Sequence, residues 1–393
     1  MTGPLAGIKI VDLSQIVSGP MAVSMLADQG ADVIKVESPQ GDPVRVMGPA
    51  KGDRSAMFIA VNRGKKGIAI DLKTRGGRTI LERLVRWADV LVENFRPGTM
   101  ERLGFGADRC AELNPRLIFA SITGFGQDGP YSNIRVYDMV VQAVSGIAAT
   151  QTDLKGNPSL VRSLIADKVT AVTMAQAITA ALFHRERTGA AQRIDVAMLD
   201  AAVAFNWPDA MYNHSFLDDP PAAFPEYGTL SRLWDAADGQ VAIGMMQDVE
   251  FVAMAKALGR QDLADDPRFR SMGGRMRNRE AWAPEFAREL AARSKDALMA
   301  GFIREGAVGG RVNSLAEVPG DPQVIHNEIM VETANGAIGR VRGARPPARF
   351  AATPAVAAGP APSLGEHGRA VLAGLGFDEA EIAAFAADGV LLG

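Results

Sequence analysis

The chain has 393 residues, a formal net charge of −3, 47% hydrophobic residues and 22% charged ones. That length holds two domains or one large one, and the composition is globular rather than disordered or fibrous. Acidic and basic residues are interspersed, which excludes a basic field for wrapping nucleic acid or coating an anionic membrane; a local cluster can still hold a small phosphorylated ligand.

Residues 8–13 (IKIVDL) are a short, β-branched apolar run and predict a strand. Ser18, Gly19 and Pro20 make a turn suited to a helix start. Apolar residues at helical spacing over 21–29, stopped by Gly30, predict a helix, and 32–36 predict a second strand. This βαβ unit implies a parallel sheet. The alternation continues with a strand at 67–72, a helix at 75–88, a strand at 90–95 and helical pieces near Met100 and over 107–113. A strand at 117–123, a helical pattern over 137–149, a long apolar helix at 167–186 and a strand at 192–198 follow. The alternation predicts a doubly wound α/β domain. Residues 218–226 (DDPPAAFPE) are proline-rich and read as a linker. Residues 227–312 read as a smaller α+β unit, with a strand at 240–244 and helices at 251–258 and 279–292. An irregular Pro- and Ala-rich stretch covers 345–362, and a helix at 367–375 closes the chain.

Chemistry-bearing positions are few. Cys110 is the one cysteine, so no disulfide forms within the chain, and four scattered histidines (His184, His214, His326, His367) show no metal-ligand spacing. No run has the length of a membrane span and no leader pattern opens the chain, so a cytoplasmic protein is expected. The first βα turn, 14–20 (SQIVSGP), sits where dinucleotide-binding proteins keep a glycine loop, but holds Gly19 alone; it is either a phosphate-receiving helix start or a plain turn. Glu37 ends the second strand, where NAD enzymes place a ribose-binding acid. Residues 62–71 (NRGKKGIAID) bring Arg63, Lys65 and Lys66 together, as a solvated loop or a phosphate contact. Residues 94–98 (NFRPG) follow a strand at the sheet's carboxyl edge, with Arg102 just beyond. Asp167 opens an apolar helix, where an aspartate serves either as N-cap or as a carboxylate nucleophile, or as both.

Taken together, these segments resemble the class III CoA-transferases, the family of formyl-, carnitine- and succinyl-CoA transferases and of α-methylacyl-CoA racemases. The resemblance spans essentially the whole chain. It is carried by 5–12 (LAGIKIVD), 26–37 (LADQGADVIKVE), 71–73 (DLK), 88–98 (ADVLVENFRPG), 113–118 (LNPRLI), 124–131 (GFGQDGPY), 187–189 (RTG) and 364–367 (LGEH). It implies a large Rossmann-like domain from 1–217 and 318–393, a small domain at 227–317, and an interlocked homodimer. It implies that Asp167 is the nucleophile of a CoA transfer from an acyl-CoA to a free carboxylic acid, through an aspartyl-CoA thioester. CoA contacts then fall on Gln15, Ile16, Val17, Ser38, Ile70, Asp71, Leu72, Lys73, Asn94, Phe95, Arg96, Arg102, Ile134, Arg135, Val136 and Tyr137. Acyl-CoA is a substrate here; no metal or permanently bound cofactor is implied. This chain carries Gln15 and Val17 where formyl-CoA transferases carry His and Gln, and Ser38 where they carry Arg. The racemase branch needs a histidine near Tyr137, where Asp138 stands instead. The alternatives are an α-methylacyl-CoA racemase or isomerase, an NAD(P)-dependent dehydrogenase, and a non-catalytic acyl-CoA-binding protein.

Overall fold

The computed structural model describes residues 3–152, 156–225, 228, 232–356 and 359–392. The chain divides into two compact units, Met1–Pro208 with His326–Gly393, and Asp209–Ile325. Residues 226–227, where the linker was expected to end, lie outside the described residues.

The first unit is built on a seven-stranded sheet. Its elements, in chain order, begin with β1 (Lys9–Asp12), α1 (Ser18–Asp28), β2 (Asp32–Glu37), α2 (Ala56–Asn62), β3 (Lys66–Ile70), α3 (Arg75–Trp87) and β4 (Val90–Glu93). There follow β5 (Ile118–Thr123), α4 (Asp138–Val144), α5 (Ile165–Thr188), β6 (Arg193–Ala197), α6 (Met198–Ala210) and β7 (Leu391–Leu392). The spatial order is β7-β3-β2-β1-β4-β5-β6, parallel throughout except for β7. The order reverses between β1 and β4, and this topological switch opens a crevice at their carboxyl ends.

The strands are apolar on both faces because helices cover both. Consecutive residues point to opposite sides. Ile10 and Val33 join the cluster beneath α1 and α5, with Leu26, Met174 and Ile178; Val11 and Ile34 join the other, with Ile80, Leu84 and Leu372. Gly189, left-handed at φ 77, ends α5.

Several boundaries differ from expectation for local reasons. α1 begins at Ser18, not at 21, because Gly19 has no side chain: a Cβ there would meet Ser14 Cβ at 2.3 Å. Pro20 fits inside the first turn, where its missing N–H is not needed. α5 begins at Ile165, so Asp167 is its third residue. β4 stops at Glu93, since that carboxylate takes the Phe95 N–H at 2.7 Å and turns the chain out of the sheet. Unanticipated are a hairpin pairing Met330–Ala334 with Arg340–Ala344 and the helix Glu379–Ala387.

The second unit has a three-stranded antiparallel sheet of Leu233–Ala236, Gly239–Ile243 and Gly309–Arg311. Helices Asp248–Ala257, Arg279–Ala291 and Lys295–Glu305 share its core, where Phe251 stacks on Phe286 with centroids 5.3 Å apart. Among the described residues, no helix is long and apolar enough to cross a membrane.

Candidate active site

The crevice between β1 and β4 is tied shut at its base. Asn94, just past β4, accepts the Gln15 N–H through Oδ1 and donates to the Gln15 carbonyl through Nδ2, both at 2.8 Å. Ile16 is left-handed, φ 69, a conformation a β-branched residue rarely adopts and that costs about 1–3 kcal/mol. Its N–H is held by Asp42 at 3.2 Å. Lys35 Nζ spans the Ser14 carbonyl at 2.5 Å and Asp42 Oδ2 at 3.0 Å, with no solvent exposure. Beneath it, Lys65 Nζ donates to Asp12 Oδ2, the Pro20 carbonyl and Asn62 Oδ1 at 2.8–2.9 Å. Burial would raise the Asp12 carboxyl, but Lys65 and Lys35 hold it below its ordinary value.

Two expectations are corrected here. Lys65 is buried and spent on Asp12, and Lys66 pairs with Asp32 at 2.8 Å at the amino end of β3, so neither is free for a phosphate. Arg63, beside them, is taken by Asp28. Glu37 is buried and receives both Arg45 Nε and Nη2 at 2.7 Å as well as the Asp42 N–H, so it is not available to a ribose.

Asp167 lies at the start of α5 and Ser18 at the start of α1, and both line one cavity. The N-cap expectation for Asp167 fails: Leu164 is the N-cap residue and carries no capping side chain. Asp138, from α4, supplies the acceptor instead, taking the Asp167 N–H on Oδ1 at 3.0 Å. Gln142 holds the other oxygen of Asp138 at 2.5 Å and pins the preceding loop by accepting the Val161 N–H at 2.9 Å. The Asp167 side chain is thus unencumbered by capping. Burial, then the neighbouring Asp138 charge, push its carboxyl up to about 6, while Ser18 opposes them with its hydroxyl and its backbone N–H. It is ionised at neutral pH yet poorly solvated, which makes it more basic and more nucleophilic than a surface aspartate. The N-terminal ends of two helices favour the anion.

The cavity above Asp167 measures about 370 Å³. Gln15, Ile16, Asn94, Phe95, Arg96, Ile134, Arg135, Val136 and Tyr137 all line it. Gly124 sets the height of its roof: a Cβ there would fall 2.2 Å from Val136 Cγ1, so only glycine lets the 134–137 loop lie on the end of β5. Arg96 and Arg135 are exposed, with no ion pair among the described residues. No histidine lines the cavity.

The family model for CoA-transferase family III matches residues 5–368. The chain belongs to that family. It is 36% identical to the succinate–glutarate CoA-transferase of Agrobacterium fabrum, over 95% of this chain and 96% of that protein. It is 37% identical to the acetyl-CoA:oxalate CoA-transferase of Acetobacter aceti, over 84% and 86% of the two chains. Its structure matches a CaiB/BaiF family protein from Brucella suis with a TM-score of 0.81 at 34% identity, covering 95% of this chain and all of that one. As a member of family III it is an enzyme of the CoA-transferase class.

Against this family background, Val17, Ser38, Ile70, Asp71, Leu72, Lys73 and Arg102 do not line the cavity. Val17 is buried as the residue before α1. Ser38 follows β2 and residues 71–73 follow β3, on the same carboxyl edge of the sheet. Arg102 is exposed and donates to Thr99 Oγ1 at 2.8 Å. Sequence reasoning missed Ser18, Gly124, Asp138 and Gln142. The Asp138–Gln142 spacing of four on a helix was the one available signal, since such pairs meet on one face. Cys110 is buried and its thiol is pushed up to about 12 by burial, so it stays protonated. Among the described residues, no cluster of His, Cys, Asp or Glu is placed to hold a metal ion.

Proposed function

We propose that this enzyme moves CoA from an acyl-CoA to a free carboxylic acid, with Asp167 as the nucleophile. The observation that carries this is the position of Asp167: a buried carboxylate with a pKa of about 6, on the floor of the cavity at the sheet's switch point, with no capping duty. One Asp167 oxygen attacks the acyl carbon and CoA leaves as thiolate, giving a mixed anhydride. The thiolate then attacks the aspartyl carbonyl and expels the donor acid as carboxylate. The resulting aspartyl-CoA thioester meets the acceptor acid, and the steps reverse. One difficult exchange becomes a series of acyl transfers.

Gln15, Ile16, Asn94, Phe95, Arg96 and residues 134–137 contact CoA near the reacting thioester. Ser38, residues 70–73 and Arg102 extend the contact along the sheet edge. The enzyme works as a homodimer with interlocked protomers, which light scattering during gel filtration tests through the mass. A racemase would need a second proton-transfer group across the cavity, and no histidine is there to serve.

The test is a covalent trap. The enzyme is given acyl-CoA donors in the presence of hydroxylamine and digested, and the peptide holding Asp167 is weighed. A hydroxamate on Asp167 supports the reading. Turnover with no adduct on Asp167 under rapid quench rejects it. The donor and acceptor panel starts with short dicarboxylates, because the two named relatives act on succinate and glutarate or on oxalate.

A further inference from the structure

Resting on the nucleophilic role of Asp167, we propose that Ser18 is a catalytic residue whose hydroxyl and backbone N–H form the oxyanion hole for the aspartyl carbonyl. Four observations converge. Ser18 is the first residue of α1 and is buried, 3% exposed, yet lines the same cavity as Asp167. Its neighbours fix it in place: Val17 is buried, Gly19 packs against Ser14, and the Met21 N–H closes the first turn on the Val17 carbonyl at 2.8 Å. The Ser18 N–H lies in the first turn of a helix, where backbone donors have no partner inside the helix. Ser18 and Asp167 stand in the first turns of α1 and α5, which pack in one core, and the Ser18 hydroxyl and N–H are the groups that hold the Asp167 carboxyl down against burial.

The chemistry needs donors at that place. When one Asp167 oxygen bonds to the acyl carbon, the other becomes the carbonyl oxygen of the anhydride. Attack by CoA thiolate forms the C–S bond and moves the carbonyl electron pair onto that second oxygen. Collapse restores the carbonyl and breaks the bond to the donor's carboxylate, which leaves with its electrons. The same oxygen bears charge again when the acceptor carboxylate attacks the thioester. Ser18 serves this oxygen in every tetrahedral intermediate centred on Asp167. Fixed donors aimed at a developing charge, in a site with little water, are worth more than the same donors in solution.

The charged and titratable groups around Asp167 are few. Asp138 faces it from α4; Arg96, Arg135 and Tyr137 line the cavity from two loops; Lys168, on its own helix, is turned to Ser163 Oγ at 2.7 Å. Ser18 is the donor that balances Asp138, so its removal also leaves Asp167 harder to ionise.

The experiment compares wild type, Ser18→Ala and Ser18→Thr, with Asp167→Asn as the null. Each is measured for kcat and KM with acyl-CoA across pH, and for the rate of hydroxylamine-trapped adduct on Asp167. Ser18→Ala is expected to lower kcat about 100-fold with little change in KM, as loss of one oxyanion donor does. Its acid limb moves to higher pH, and the adduct forms on Asp167 more slowly. Ser18→Thr, which keeps a hydroxyl, restores the acid limb and most of kcat. Ser18→Ala with wild-type kcat and acid limb, beside a wild-type enzyme that forms the adduct, overturns the role of Ser18 alone. Equal loss in both variants with an unmoved acid limb also overturns it, because packing then accounts for the effect. Turnover by wild type with no Asp167 adduct overturns the nucleophile as well.

Discussion

The carboxylate of Asp138 caps the helix that carries Asp167 and at the same time repels the Asp167 side chain. The two effects separate by substitution. Asp138→Asn keeps an acceptor for the Asp167 N–H and removes the charge, though its Nδ2 then meets the Gln142 Nε2 donor and some stability is lost; Asp167 ionises more easily and the acid limb of kcat moves to lower pH. Asp138→Ala removes the cap too, which costs about 1 kcal/mol of stability, and strands Gln142. Chemical denaturation and a pH–rate profile on the two variants separate these outcomes; equal pH profiles for wild type and Asp138→Asn would refute the electrostatic part.

Asp167 should weaken the fold that it serves. Its folded value of about 6 lies above the ordinary 3.8. Between those values the native state binds the proton more readily than the unfolded chain, so stability falls as pH rises through that window. Above it the buried anion costs up to about 3 kcal/mol. Asp167→Asn is therefore expected to abolish turnover and to raise the unfolding midpoint at neutral pH. The advantage shrinks as pH falls to the lower end of the window, where wild type is protonated as well. Urea titrations at the two pH values check it.

Gly124 and Val136 set the cavity roof. Gly124→Ala places a methyl 2.2 Å from Val136 Cγ1 and lifts the loop that carries Arg135 and Tyr137. The KM for acyl-CoA should rise about tenfold, with about 1–3 kcal/mol lost from overpacking. Adding Val136→Ala removes the nearest contact but leaves Val136 Cβ at 2.9 Å, so the double variant should recover only part of both losses. Additive effects would show that the two residues do not meet.

The sheet was legible because its signals are local. Each strand is a short β-branched run closed by a polar turn, and the helices between them carry their own spacing. The site was half legible. The loops after β1 and β4 stood out because functional loops cluster at a switch point. What stayed hidden was pairing across the sequence. Asp167 looked like an N-cap because nothing near it in sequence shows that Asp138 does the capping. Lys65 and Lys66 looked like one basic cluster, yet adjacent residues entering a strand point to opposite environments, and the partner of Lys65 is Asp12 on another strand. The helix Glu379–Ala387 was missed for no such reason, since Asp378 and Glu381 form a capping box that could have been seen.

That contrast between buried and exposed cations makes the last prediction. Lys65 joins Asp12, Pro20 and Asn62 beneath the first turn and has no solvent exposure. Lys65→Met leaves the Asp12 carboxylate buried without its nearest cation, a loss of about 3–5 kcal/mol when one member of a buried pair is removed. Adding Asp12→Asn removes the stranded charge and should return part of that loss. Neither change touches an exposed cation, so the salt dependence of CoA affinity should stay as in wild type for whatever folded fraction remains. Arg96→Ala and Arg135→Ala should do the reverse. Both side chains are exposed on the cavity, so stability changes little while CoA binding weakens and becomes less sensitive to salt. Calorimetric titration of CoA at two ionic strengths, alongside denaturant unfolding, reads both axes at once. A Lys65→Met enzyme that folds normally but loses the salt dependence would return the phosphate-binding role to Lys65 and show that the buried pair is not what holds the first turn.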